Sequence, residues 1–185
     1  MEIKYSKKID NEMFIEINKM RKILSPVFGI EFPKVKFDSR LIPIAKMMTE
    51  VGKKFLDEKK LKKTIREIYK KELPNLTIYI NTTPFSSWNT KGKYLSVSYT
   101  RNDCVKFFST VCHESNHLMY DLIFGTKKYE DTEIKETLTV LNNLFGVEDK
   151  GWRKFLNQRQ NVLNFYNKTK NFEKTIEYAR NNFKS

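Results

Sequence analysis

Five residues near the middle of the chain, His113-Glu114-Ser115-Asn116-His117, combine side chains suited to holding a metal ion with one suited to moving a proton. They form an H-E-x-x-H sequence. On a helix, residues i and i+4 are neighbours on one face, with Cβ atoms roughly 5–6 Å apart. Two imidazoles so placed can converge on one zinc ion at ~2.0–2.1 Å. Glu114 points about 100° round the helix from His113, so it is free to act on water at the metal as a general base. The chain has only 2 histidines in 185 residues, and both fall in this motif.

A catalytic zinc site takes three protein ligands and keeps a fourth position open. With both histidines used, the third ligand is a carboxylate or a cysteine. Cys104 sits two turns back on the same helix, too far along it to converge. Two glutamates of the next helical segment, Glu133 and Glu136, both remain open as ligands.

The segment Lys135-Glu136-Thr137-Leu138-Thr139 resembles the second motif of the gluzincins, the thermolysin-like clan of zinc metallopeptidases. In that clan an Asn-Glu-Ala-type segment about twenty residues beyond H-E-x-x-H delivers a glutamate ligand from the following helix. The resemblance covers about residues 94–145. It implies His113, His117 and Glu136 as ligands of one Zn2+ per chain, with Glu114 as base. Glu133, nearer the apolar face of its helix, is the competing ligand. The clan commonly has an Asp four residues after the ligand glutamate to orient a histidine; here that residue is Val140. Asp121 is the candidate replacement.

The activity this implies is hydrolysis of peptide bonds in a peptide or protein substrate. Zinc lowers the pKa of its water toward ~7, and Glu114 takes the proton and returns it to the leaving amine. A strand over residues 94–99, read as a sheet edge, could receive an extended substrate. Tyr166, Tyr129 and Arg101 are the candidates for a further electrophile. The alternatives are a metal-binding, peptidase-like regulator acting on one protein partner and a basic nucleic-acid-binding protein with an incidental motif.

The elements that must position these residues are legible in the hydrophobic spacing. Ile9, Met13, Ile17, Met20 and Leu24 recur at helical intervals up to Pro26, and further helices are expected over residues 43–51 and 58–73. The pattern then alternates over residues 76–80 and 94–99, as strands do, around an Asn89-Thr90-Lys91-Gly92 turn. The motif helix runs from a cap at Asn102 or Asp103 to Gly125. A second runs from Asp131 or Thr132 to Phe145, and two more over residues 152–166 and 172–183. The expected fold class is α+β: one mostly helical domain with a small antiparallel sheet packed on the motif helix, a zincin-like arrangement as the resemblance implies. It divides into a helical part (1–75), the sheet with the metal-site helices (76–146) and C-terminal helices (147–185).

Composition sets the bounds. Hydrophobic residues make up 39% and aromatics 14%, enough for a core without staples. No run of eighteen apolar residues suggests a membrane span, and the first residues lack the apolar stretch of a secretory signal, so a cytoplasmic chain is expected. Cys104 and Cys112, about 12 Å apart along one helix, do not suit a disulfide and read as small buried apolar residues. The net charge of +13 first points to an anionic partner. It divides into +11 over residues 1–110, −4 over 111–150 and +6 over 151–185. The acidic island coincides with the motif. The lysines between Lys53 and Lys71 are interleaved with acidic residues and read as a solvated face, so nucleic acid is not the expected partner.

Overall fold

The computed structural model describes residues 1–183. The chain runs β1 (Glu2–Tyr5), α1 (Lys7–Phe28), α2 (Ile42–Phe55), α3 (Glu58–Tyr69), β2 (Thr77–Asn81), β3 (Ser87–Asn89), β4 (Tyr94–Ser98), α4 (Cys104–Phe124), α5 (Thr132–Leu138), α6 (Leu156–Thr169) and α7 (Phe172–Asn182). A 3₁₀ segment, Thr139–Phe145, continues α5 to Gly146. The fold is α+β and mostly helical. No helix among the described residues is long and apolar enough to cross a membrane.

The four strands lie in the order β1-β2-β4-β3, and the sheet is mixed, where the sequence pointed to an antiparallel one. β1 pairs parallel with β2, and β2 parallel with β4; only β3 runs antiparallel to β4. The Asn89–Gly92 turn does make a hairpin, but its first strand is β3, a short element that the alternation did not reveal. β3 takes the outer side of β4, and β2 is left to pair with the other side through a crossover of the length that parallel strands need. β4 is therefore interior. The sheet edge beside the motif helix is β3, which corrects the assignment of residues 94–99 as an edge.

Other boundaries shift for local reasons. Pro26 lies inside α1, because the helix needs only one more turn to reach Gly29, whose left-handed φ of 67° closes it. Phe28, just past the proline, is buried against Phe32 and Phe155, and that packing holds the last turn in place. α3 ends four residues before Leu73, at Tyr69, where Lys70 adopts a left-handed conformation. Cys112 is buried as expected, whereas Cys104, in the first turn of α4, is exposed.

The main core lies where α4 packs on the sheet and on α2, α3 and α5. Ile65, Ile68, Ile78, Leu95, Val97, Phe107, Val111 and Leu118 meet there, all fully buried. Gly52 on α2 allows the close approach of α4, since a Cβ there would lie 2.8 Å from the Phe107 ring. At roughly 25 cal/mol per Å² of apolar surface, this burial is the main force seating α4. The result is a long central helix with one face in the core and the opposite face, carrying His113 and Glu114, toward a cleft.

Candidate metal centre

α4 begins at Asp103, whose carboxylate accepts from the Lys106 amide at 2.7 Å, and ends at Gly125 with φ 66°. These caps set the limits of the helix, and the spacing of four puts both histidines on one of its faces. α5 is then locked onto α4 by Lys135. Its ammonium is fully buried and donates to Asp121 Oδ1 at 2.7 Å and to the carbonyls of Lys127 and Lys128 at 3.2 and 2.8 Å. Such a cation is tolerable in the interior only because it is paired and hydrogen-bonded. With Lys135 turned toward the Gly125–Glu130 loop, the next residue, Glu136, faces the histidines.

The three groups meet. His113 Nε2 and His117 Nε2 are 2.9 Å apart, and each lies 3.3 Å from a different oxygen of Glu136. One ligand atom from each residue falls within 4.8 Å of the others. Glu133 is not among them, for its carboxylate accepts from the Gln158 side chain at 3.0 Å. Glu114 is buried beside the triad, and one of its oxygens has no hydrogen-bond partner among the described residues. All four residues line a cleft of about 730 Å³.

Opposite charges couple the carboxylate to the imidazoles. Burial raises the Glu136 pKa, but the two histidines outweigh it and hold the carboxylate well below its ordinary 4.5. Burial works to lower the His113 pKa, yet Asp149 and Glu136 hold it well above 6.5. Burial dominates at His117 and lowers its pKa. The three side chains are thus electrostatically coupled to one another. A divalent cation satisfies the same three atoms, and two imidazole nitrogens with one carboxylate are a donor set that suits zinc. Burial likewise pushes Glu114 up to about 7.

The support around the triad was the part that sequence reasoning missed. Asp149, 36 residues from His113, faces its Nδ1 at 2.9 Å and orients the ring. Arg159 on α6 donates to both Asp149 Oδ1, at 3.0 Å, and the Glu136 carbonyl, at 2.8 Å. One guanidinium therefore clamps a candidate ligand and the residue that orients another. The only sequence signal for Asp149 was its place in the acidic island; Arg159 gave none.

Asp121 does not orient His117, nor does it face solvent. It accepts from Lys135 and, at 2.6 Å, from the Trp88 indole N–H on β3. The Trp88 ring packs on the His117 imidazole with centroids 4.5 Å apart. His117 Nδ1 is buried without a hydrogen-bond partner among the described residues, so packing against Trp88 does the work a second hydrogen bond usually does.

Of the three residues considered as electrophiles, Arg101 and Tyr129 line the cleft, and Tyr166 does not; it stacks on Phe172 at 4.5 Å, away from the site. The Tyr129 hydroxyl donates to Glu16 of α1. The Arg101 Nε is buried and makes no hydrogen bond among the described residues. A buried donor left unpaired costs on the order of 1–3 kcal/mol. Comparisons of the chain with known protein families, with curated proteins and with solved structures find no match.

Proposed function

We propose that the protein is a zinc-dependent hydrolase of peptide bonds, with His113, His117 and Glu136 as ligands and Glu114 as general base. The observation that carries this reading is the convergence of two imidazole nitrogens and one buried carboxylate within 4.8 Å, next to a second, partly unpartnered carboxylate in the same cleft. When bound, zinc supplies a Lewis acid that polarises a carbonyl and makes water nucleophilic near neutral pH. The chain's own residues do the rest. Glu114 takes a proton from the attacking water at its carboxylate and passes it to the leaving amine. Asp149 holds the His113 ring, Trp88 holds that of His117, and Arg159 holds the Glu136 backbone. A metal site with a structural role alone has no use for a base at position 114.

Metal analysis of the purified chain tests the ligand set. About one zinc per chain is expected, lost in His113→Ala and Glu136→Gln and kept in Glu133→Gln. Unchanged zinc content in His113→Ala would overturn the site. Glu114→Gln should keep its zinc while cleavage of a peptide library falls by about 10²–10⁴-fold. Equal cleavage would remove Glu114 from the mechanism. Zinc without cleavage of any library, in the wild-type chain, would favour the partner-specific regulator.

A further inference from the structure

The cleft holds two features that peptide hydrolysis at the triad leaves unexplained. One is an aromatic wall. Phe28 at the end of α1, Phe32, Phe85 and Trp152 pack with ring centroids 4.6 to 6.0 Å apart. They form a cluster separate from the main core and line the same cleft as the triad. The other is Arg101, held at the end of β4 by its backbone N–H on the Ser98 carbonyl at 3.0 Å, two residues before the cap of α4.

Arg101 is an unspent cation. The arginines in ion pairs among the described residues are Arg40, Arg66 and Arg159. Arg101 is in none of them, although it is partly buried, lines the cleft and has a buried Nε without a partner. A solvated arginine would need no partner, but this one has given up water at Nε without a hydrogen bond among the described residues, and its charge acts on Glu114 without pairing with it. Guanidinium presents a planar fork of donors that fits a carboxylate with two parallel hydrogen bonds. The aromatic wall suits a large apolar side chain.

We propose that Arg101 is the specificity residue of the cleft, binding a carboxylate of a peptide whose aromatic or large apolar side chain packs on the Phe28–Phe32–Phe85–Trp152 wall. This rests on the reading of the cleft as the site of peptide hydrolysis. The carboxylate belongs either to the C-terminus of the peptide or to an acidic side chain, and the two are separable by experiment.

The chain's two tryptophans, Trp88 and Trp152, both line the cleft, so their emission reports its occupancy. The intact chain, treated with a chelator so that nothing is cleaved, is titrated with N-acetyl-Phe-Phe and its C-terminal amide. A second pair, the amides of N-acetyl-Phe-Glu and N-acetyl-Phe-Gln, tests the side chain. At least one acid should bind about tenfold or more tightly than its neutral twin, as a charge-assisted hydrogen-bonded pair requires. The pair that shows the difference identifies the carboxylate. In Arg101→Gln the ratio should fall to about one, with zinc content and far-ultraviolet circular dichroism unchanged, and Arg101→Lys should keep part of it. Arg21→Gln, on another wall of the cleft, controls for bulk charge. No preference for either acid, a preference that survives Arg101→Gln, or an equal loss in Arg21→Gln would each overturn the assignment. A chain that binds zinc but shows no acid preference refutes the role of Arg101 alone, whereas a chain without zinc refutes the hydrolase.

Discussion

The Nδ1 atom of His113 lies 2.9 Å from a carboxylate oxygen of Asp149, a residue 36 positions further along the chain and held in turn by Arg159. Asp149 is therefore the acidic partner that orients the His113 ring. Burial raises its pKa, but His113 and Arg159 outweigh that and keep it below the ordinary 3.8. Replacing it with Asn keeps the shape and removes the charge. Asp149→Asn should lower zinc affinity by about 10–100-fold, read by competition with a chelating dye. Affinity within twofold of the wild type would show that Asp149 has no part in orienting His113.

A proton on His113 competes with any metal. A histidine whose pKa is raised on folding contributes stability that is fully present below the unfolded value of 6.5 and lost as pH rises through the folded value. Glu136, with its pKa lowered, contributes stability present above 4.5 and lost as pH falls. In the chelator-treated protein the pair thus helps most in the window between those values. Zinc must displace the proton. The rise in Tm on adding zinc should be small at pH 5.5 and grow toward pH 8. Equal shifts at the two pH values would contradict this.

Lys135 and Asp121 form an ion pair whose side chains are 1% and 0% exposed. Lys135→Met leaves the Asp121 charge buried with Trp88 and Thr126 as its remaining donors. Unfolding in denaturant should show a loss of about 3–5 kcal/mol. Because the same pair sets the angle of α5, zinc affinity should fall with it. A loss below about 1 kcal/mol would mean that α5 is held by apolar packing alone.

Gly151 has φ 58°, and a Cβ there would lie 2.5 Å from the guanidinium of Arg159. Gly125 has a similar φ of 66° with nothing within 4 Å of such a Cβ. Both alanine substitutions carry the backbone cost of about 1–2 kcal/mol. Only Gly151→Ala should also weaken zinc binding, because it pushes Arg159 off Asp149 and the Glu136 carbonyl. Equal zinc affinity in the two variants would show that Arg159 does not support the site.

What the sequence determined by itself was local. The limits of α4 follow from Asp103 and Gly125, and the placing of His113 and His117 on one face follows from their spacing of four. Each depends on residues within a turn or two of one another, where helix geometry leaves little choice. The mostly helical α+β class was legible for the same reason. Spacing alone left Glu133 as a rival to Glu136, which the resemblance favoured, because residues three apart share nearly one face and a small rotation of α5 exchanges them. That rotation is set by Lys135 reaching Asp121, a contact between segments that only the fold brings together. Asp149, Arg159 and Trp88 reach the site from three further parts of the chain, so no spacing could announce them. The sheet shows the same limit. β3 is only three residues long, too short to register as alternation, yet its pairing with β4 makes that strand interior and leaves β2 parallel to it. Periodicity specifies which face of an element is apolar; which element lies against that face is decided by packing the whole chain at once.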